Sequence, residues 1–120
     1  MKPFSRSDRV GGLIKQVLAE LLHKQISDPR LEGATITGVQ VSRDLRLAKI
    51  YFCTPAGEAT RQDALDAFER ARGFVKRELA QRMTLRYMPD LRFYYDGSID
   101  YAARIEQLLK AVKENDPDHH

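Results

Sequence analysis

The chain has 120 residues, 42% hydrophobic and 31% charged, which is one domain of ordinary globular composition. Twenty Lys and Arg against seventeen Asp and Glu give a formal charge of +3, which excludes an acidic solvating tail and leaves nucleic acid open as a partner. No apolar run approaches the roughly 20 residues of a membrane span.

The first predicted element is a helix over about residues 7–26. Val10, Leu13, Ile14, Val17, Leu18, Leu21, Leu22 and Ile26 recur three and four apart and form one stripe. Ser5 or Ser7 suits its N-cap, and Asp8 suits the positive end of its dipole. Asp28-Pro29 stops it, because the residue before proline avoids helical geometry.

Two strands follow, 35–42 and 47–54. In the first, Gly38 interrupts a β-branched run and predicts a bulge. In the second, Ala48, Ile50 and Phe52 alternate with Lys49, Tyr51 and Cys53. The link Arg43-Asp44-Leu45-Arg46 has only a hairpin's length, so the pair is antiparallel.

A helical pattern then runs over 60–82, with Ala64, Phe68, Ala71, Val75 and Leu79 on one stripe. Gly73 interrupts it, which predicts two helices meeting at a kink near Ala71-Arg72-Gly73. A third strand over 91–96 comes next. The long crossover allows it to lie parallel to and beside the second, with the helices on one sheet face. Asp96-Gly97-Ser98 supplies a turn and an N-cap for a last helix, with Ile105, Leu108, Leu109 and Val112 expected inward. The fold class is therefore a two-layer α+β domain.

Catalytic signatures are missing. No H-E-x-x-H, G-x-S-x-G, P-loop or dinucleotide-binding glycine pattern occurs, and His23 has no nucleophile tied to it by a motif. The single cysteine, Cys53, excludes an internal disulfide and a four-thiolate zinc site. The reading is a non-enzymatic protein with no cofactor and no metal. With no signal-peptide-like apolar stretch at its start, it is expected in the cytoplasm, off the membrane. His119 and His120 have the look of an expression-tag remnant and receive no function.

Charge placement carries the information. Residues 70–92 hold seven basic side chains, Arg70, Arg72, Lys76, Arg77, Arg82, Arg86 and Arg92, against Glu78 and Asp90 alone. Six are arginine, whose planar fork suits phosphate and base stacking better than lysine. The preceding stretch carries Asp63, Asp66 and Glu69 with no basic residue. A second basic group, Lys2, Arg6, Arg9 and Lys15, opens the chain, and Arg43 and Arg46 flank the hairpin turn. A solvated, ion-paired helix face would explain some of this, but few acids are near enough to pair. The pattern points to a surface for nucleic-acid phosphates. Tyr51, Tyr87, Tyr94, Tyr95 and Tyr101 are candidates for base stacking or for packing. The alternative reading is a protein–protein adaptor without direct RNA contact, docking through a sheet edge or the acidic 63–69 segment.

The sequence resembles bacterial ribosome-binding factor A over about residues 5–109. The likeness rests on Arg9-Val10 opening the first helix, Asp28-Pro29-Arg30-Leu31, Thr35-Ile36-Thr37-Gly38-Val39, Val41-Ser42-Arg43-Asp44-Leu45 and Ala48-Lys49-Ile50-Tyr51. It continues through Ala71-Arg72-Gly73-Phe74, the run Leu85-Arg86-Tyr87-Met88-Pro89-Asp90-Leu91-Arg92-Phe93, and Asp96-Gly97-Ser98. The resemblance implies a type II KH-like fold, with residues 1–113 as one RNA-binding domain and 114–120 as a polar, disordered tail. It implies a monomer that binds the free 30S subunit and 16S rRNA, assists late maturation of the 5′ end and supports growth in the cold. Other small-subunit assembly factors, including a maturation GTPase, are further implied partners. The usual KH loop G-x-x-G is absent, and Ala71-Arg72-Gly73 takes its place. Broad contact with folded RNA is therefore expected instead of single-strand clamping there. The expected RNA-binding residues are Arg70, Ala71, Arg72, Gly73, Lys76, Arg77, Arg82 and Arg86, joined by Lys2, Arg6, Arg9, Arg43 and Arg46.

Overall fold

Residues 5–114 are described by a computed structural model. In chain order they form α1 (Arg6–Lys24), β1 (Thr35–Val41), β2 (Leu47–Cys53), α2 (Arg61–Arg82), β3 (Asp90–Tyr95) and α3 (Ser98–Glu114). Short 3-10 turns at Pro29–Leu31 and Gly57–Thr60 precede β1 and α2. The expected tail residues 115–120, His119 and His120 among them, and Lys2 lie outside the described residues.

Ser5 caps α1 in a reciprocal box: its hydroxyl accepts the Asp8 amide and the Asp8 carboxylate accepts the Ser5 amide. The helix ends at Lys24, two residues before the expected stop, where the Gln25 and Ile26 amides both close on the Leu21 carbonyl. Val10, Ile14, Val17, Leu18 and Leu21 are buried as the stripe predicts. Leu13 is not: it is 49% exposed, at the margin of the stripe. Gly11 gives α1 its close approach, since a Cβ there would stand 3.1 Å from the Val39 carbonyl oxygen.

The sheet order is β1-β2-β3, with β1 antiparallel and β3 parallel to β2. The bulge anticipated at Gly38 is present, with the register shifting between Ile36 and Gly38. Ala48, Ile50, Phe52, Leu91 and Phe93 are buried under α1 and α2. The core centres on Phe68 of α2, whose ring lies 4.6 Å from Phe52 and 4.8 Å from Phe93, centroid to centroid. Aromatic pairs at this spacing add about 0.5–1.5 kcal/mol beyond their buried area.

Two expectations are corrected. The segment 61–82 is one uninterrupted helix, so Ala71-Arg72-Gly73 does not separate two elements. One glycine costs a helix only about 1 kcal/mol, and Phe68, Val75 and Leu79 anchor both sides of it in the same core. The second correction concerns α3. Ile105, Leu108, Leu109 and Val112 were expected inward but are 37%, 58%, 65% and 68% exposed. The sheet face that carries the core is already filled by α1 and α2. The helix projects, which stretches the protein to 63 × 41 × 20 Å.

Deleting residues 105–120 is therefore expected to change stability by less than about 1 kcal/mol, as for exposed surface generally. Phe68→Ala should cost about 3–5 kcal/mol. Urea unfolding of the two variants beside the wild type checks both.

Candidate nucleic-acid interface

The inward positions of α2 determine what faces out. Ala64, Ala67, Phe68, Val75 and Leu79 are buried, so residues about half a helical turn away form the outer crest. Arg70, Gly73 and Arg77 stand there, three and four residues apart, and all three are exposed. Neither Arg70 nor Arg77 has a carboxylate within 4 Å among the described residues. Between them Gly73 leaves a gap. Leaving aside the helix's own backbone and the neighbouring residues, the one described atom within 4 Å of where its Cβ would stand is Nη1 of Arg77, at 3.6 Å. A phosphodiester backbone could approach the helix there with a guanidinium on either side.

The other expected residues are placed differently. Arg72 is half-buried and its Nη2 lies 2.6 Å from the Glu69 carboxylate, while its Nε is buried without a partner. Lys76 stands 3.8 Å from Asp90 on the β3 side. Arg82 bridges to Glu20 of α1 at 3.0 Å and Glu78 at 3.6 Å, so it ties the two helices together. Arg92 stands 3.6 Å from Asp90. Arg86, exposed in the loop before β3, lies over the Tyr87 ring at 5.4 Å. Ala71 is half-buried beneath the crest. Four of the seven basic residues are thus engaged by carboxylates and three are not. Exposed pairs of this kind contribute only about 0–1 kcal/mol, so exchanging one for a phosphate costs little.

The crest changes sign along its length. Asp63 and Asp66 stand on the same side in the N-terminal half and are exposed, where the helix dipole favours them. The crest therefore presents positive charge at Arg70–Arg77 and negative charge one turn earlier.

Arg43 and Arg46 project from a tightly held hairpin turn. The Ser42 hydroxyl donates to Asp44 at 2.6 Å, and the Arg46 amide donates to both side chains. Leu45 adopts φ 61° and closes the turn while packing on the core. The Asp90 amide donates to the Arg46 carbonyl, which brings the start of β3 to this end. Arg6 and Arg9, both exposed, open α1, whose Gly11 abuts Val39 and Val41 in the same end of β1. These four residues therefore gather at the hairpin end of the domain, away from the centre of the α2 crest.

One pairing near the crest was not anticipated from sequence. Asp28 and Arg30 form a bidentate bridge, with Nε at 3.1 Å and Nη2 at 2.8 Å, while Asp28 also accepts the Arg30 amide. The Arg30 side chain, and after it the Arg30 backbone amide, hold the Asp28 carboxyl at about 2, well below its ordinary 3.8, and the charge of Arg70 adds a smaller part. Asp28-Pro29 marks a helix stop in the sequence and Asp28-Pro29-Arg30-Leu31 carries part of the family likeness, but a bridge two residues apart depends on the 3-10 turn that bends the chain back.

The mixed three-stranded sheet, the two helices on one face and the strand order define an α+β domain of the type II KH-like class. Residues 6–109 match the family profile of ribosome-binding factor A. The chain belongs to the ribosome-binding factor A family. It is 48% identical over 112 residues to ribosome-binding factor A of Desulfatibacillum aliphaticivorans, covering 93% of this chain and 91% of that protein. The solution structure of a Thermotoga maritima protein described as a ribosome binding factor A is similar at TM-score 0.71 and 30% identity, over 83% of this chain and 95% of that one. A homology model of the Thermus thermophilus factor, fitted into a cryo-EM map of its 30S complex, is similar at TM-score 0.59 and 31% identity, over 70% and 88%.

The Asp28 carboxyl is expected to titrate near pH 2 by NMR. Its folded-state pKa is depressed, so its stabilisation is complete above its ordinary pKa and lost as pH falls toward 2. Asp28→Asn should remove that part of the acid dependence of stability.

Proposed function

We propose that this protein binds the free 30S subunit through 16S rRNA, and that it assists late maturation of that RNA, including its 5′ end, with a role in growth in the cold. The single observation that carries the reading is the unpaired Arg70–Gly73–Arg77 crest on α2. Its relatives' name and the 30S complex of the Thermus thermophilus factor support it. Arg72, Lys76 and Arg86 reinforce the crest, and Arg6, Arg9, Arg43 and Arg46 extend contact at the hairpin end. Lys2 belongs to the same group. Residues 1–113 act as one RNA-binding unit. The protein works as a cytoplasmic monomer, without cofactor or catalytic step, beside other assembly factors such as a maturation GTPase.

The mechanism is selective binding. A helix crest with two free guanidinium groups and a central gap is complementary to one local path of the phosphate chain. Binding that path more tightly than its alternatives shifts the rRNA population toward it, by no more than the difference in affinity. The absence of a G-x-x-G loop fits this role, because a continuous helix offers side-chain cations and few backbone amides.

Arg70→Glu combined with Arg77→Glu is expected to abolish co-sedimentation with purified 30S subunits while leaving the circular dichroism spectrum unchanged. Each lost phosphate contact should flatten the salt dependence by about 0.7–0.9 in log–log slope. Asp63→Lys with Asp66→Lys should not weaken binding. Retained co-sedimentation of the arginine variant, or binding indifferent to salt, would exclude this crest and favour the adaptor reading.

A further inference from the structure

The sheet face opposite the helices carries a feature that the α2 crest does not use. Tyr51 of β2 and Tyr94 of β3 are direct partners across the parallel ladder. Their rings are stacked, with centroids 5.6 Å apart and planes 28° from parallel. Tyr51 is half-buried and Tyr94 is 38% exposed.

The surroundings of the pair are asymmetric. On its β1 side the partner of Tyr51 is Gly38, and apart from its chain neighbours no atom of the described residues lies within 4 Å of where a Cβ on Gly38 would stand. The sheet therefore has a bare floor beside Tyr51, on the side away from Tyr94. One register step toward the hairpin end, Lys49 and Arg92 are paired on the same face. Lys49 has no carboxylate within 4 Å among the described residues, and Arg92 shares Asp90 with Lys76. At the other end of the face the Asp96 carboxylate accepts from the Thr37 hydroxyl and the Ser98 amide.

Flat aromatic faces beside a gap, with cations displaced to one side, match an unpaired nucleotide strand. The gap admits a planar base against the tyrosine, and the phosphates run toward the cations and away from Asp96. A duplex hides the base faces that the rings would meet.

We propose that the open sheet face is a second RNA site, which takes a short single-stranded segment by stacking bases on Tyr51 and Tyr94 over Gly38, with Lys49 and Arg92 holding its phosphates. The proposal rests on RNA being the partner of this protein, but not on the α2 crest. The two faces lie on opposite layers, so one molecule could hold folded RNA on its helices and an unpaired segment on its sheet. The tyrosine pair is then more than a cross-strand packing contact.

The test is fluorescence anisotropy of the full chain with labelled octanucleotides of uridine and of adenosine in low salt. Wild type is expected to bind them, and a duplex RNA of similar charge should compete poorly. Tyr51→Leu with Tyr94→Leu should weaken octamer binding at least about tenfold, the scale of one lost base stack. Gly38→Leu, which fills the floor and leaves both rings in place, should weaken it comparably. Circular dichroism checks folding, and Gly38→Leu decides the matter if the tyrosine variant does not fold. The Arg70→Glu, Arg77→Glu variant should keep octamer binding while losing the 30S subunit. Octamer affinity unchanged in the sheet variants, no octamer binding by wild type, or equal competition by duplex would overturn the proposal. Loss of octamer binding only in the arginine variant would overturn it too, while leaving the α2 reading intact.

Discussion

The ring of Phe68, held between Phe52 and Phe93, sets the rotation of α2, and most of the functional surface follows from that rotation. A helix has one angular degree of freedom about its axis once its direction is given. With Phe68, Val75 and Leu79 turned into the core, Arg70, Gly73 and Arg77 have no direction left but outward. A shift of one residue would turn the side chains by about 100° and carry the arginines to the helix flank. The same aromatic contact holds β3 in place, because Phe93 is its central inward residue.

Covering one sheet face and leaving the other bare is the second consequence of this arrangement. The parallel pairing of β2 and β3 needs a long crossover, and α2 supplies it on the side where α1 already lies. The domain therefore has two unlike surfaces. One is a helix layer with a crest whose charge reverses midway. The other is a sheet with a stacked tyrosine pair and cations to one side. The charged crest and the stacked aromatic pair are separated by the thickness of the domain and face opposite directions.

Ion pairing divides the arginine cluster by task. Arg82 links α2 to α1, and Arg72 is held against Glu69 with part of its fork buried. Arg70 and Arg77 are left to solvent. The density of arginines between residues 70 and 92 is thus partly architectural. A count of charges could not separate the two groups, because Glu20 lies 62 residues from Arg82 and only the packing of the helices brings them together.

The helices and strands were legible in the order of residues, because apolar periodicity and turn chemistry act over a few residues. The capped start of α1, the alternation of β2 and the bulge at Gly38 are of this kind. Basic character in α2 was equally plain. Three things depended on contacts between distant segments. The break expected at Gly73 is bridged, since the core on both sides outweighs one glycine's cost. The apolar stripe of α3 finds no face to bury against, since periodicity records what a helix could cover and not what is left uncovered. The stacking of Tyr51 on Tyr94 needed the parallel register of two strands whose paired residues lie 43 positions apart, a separation that leaves no local signal. Local rules set each element's faces, and tertiary packing alone decided which faces meet and which remain open to a partner.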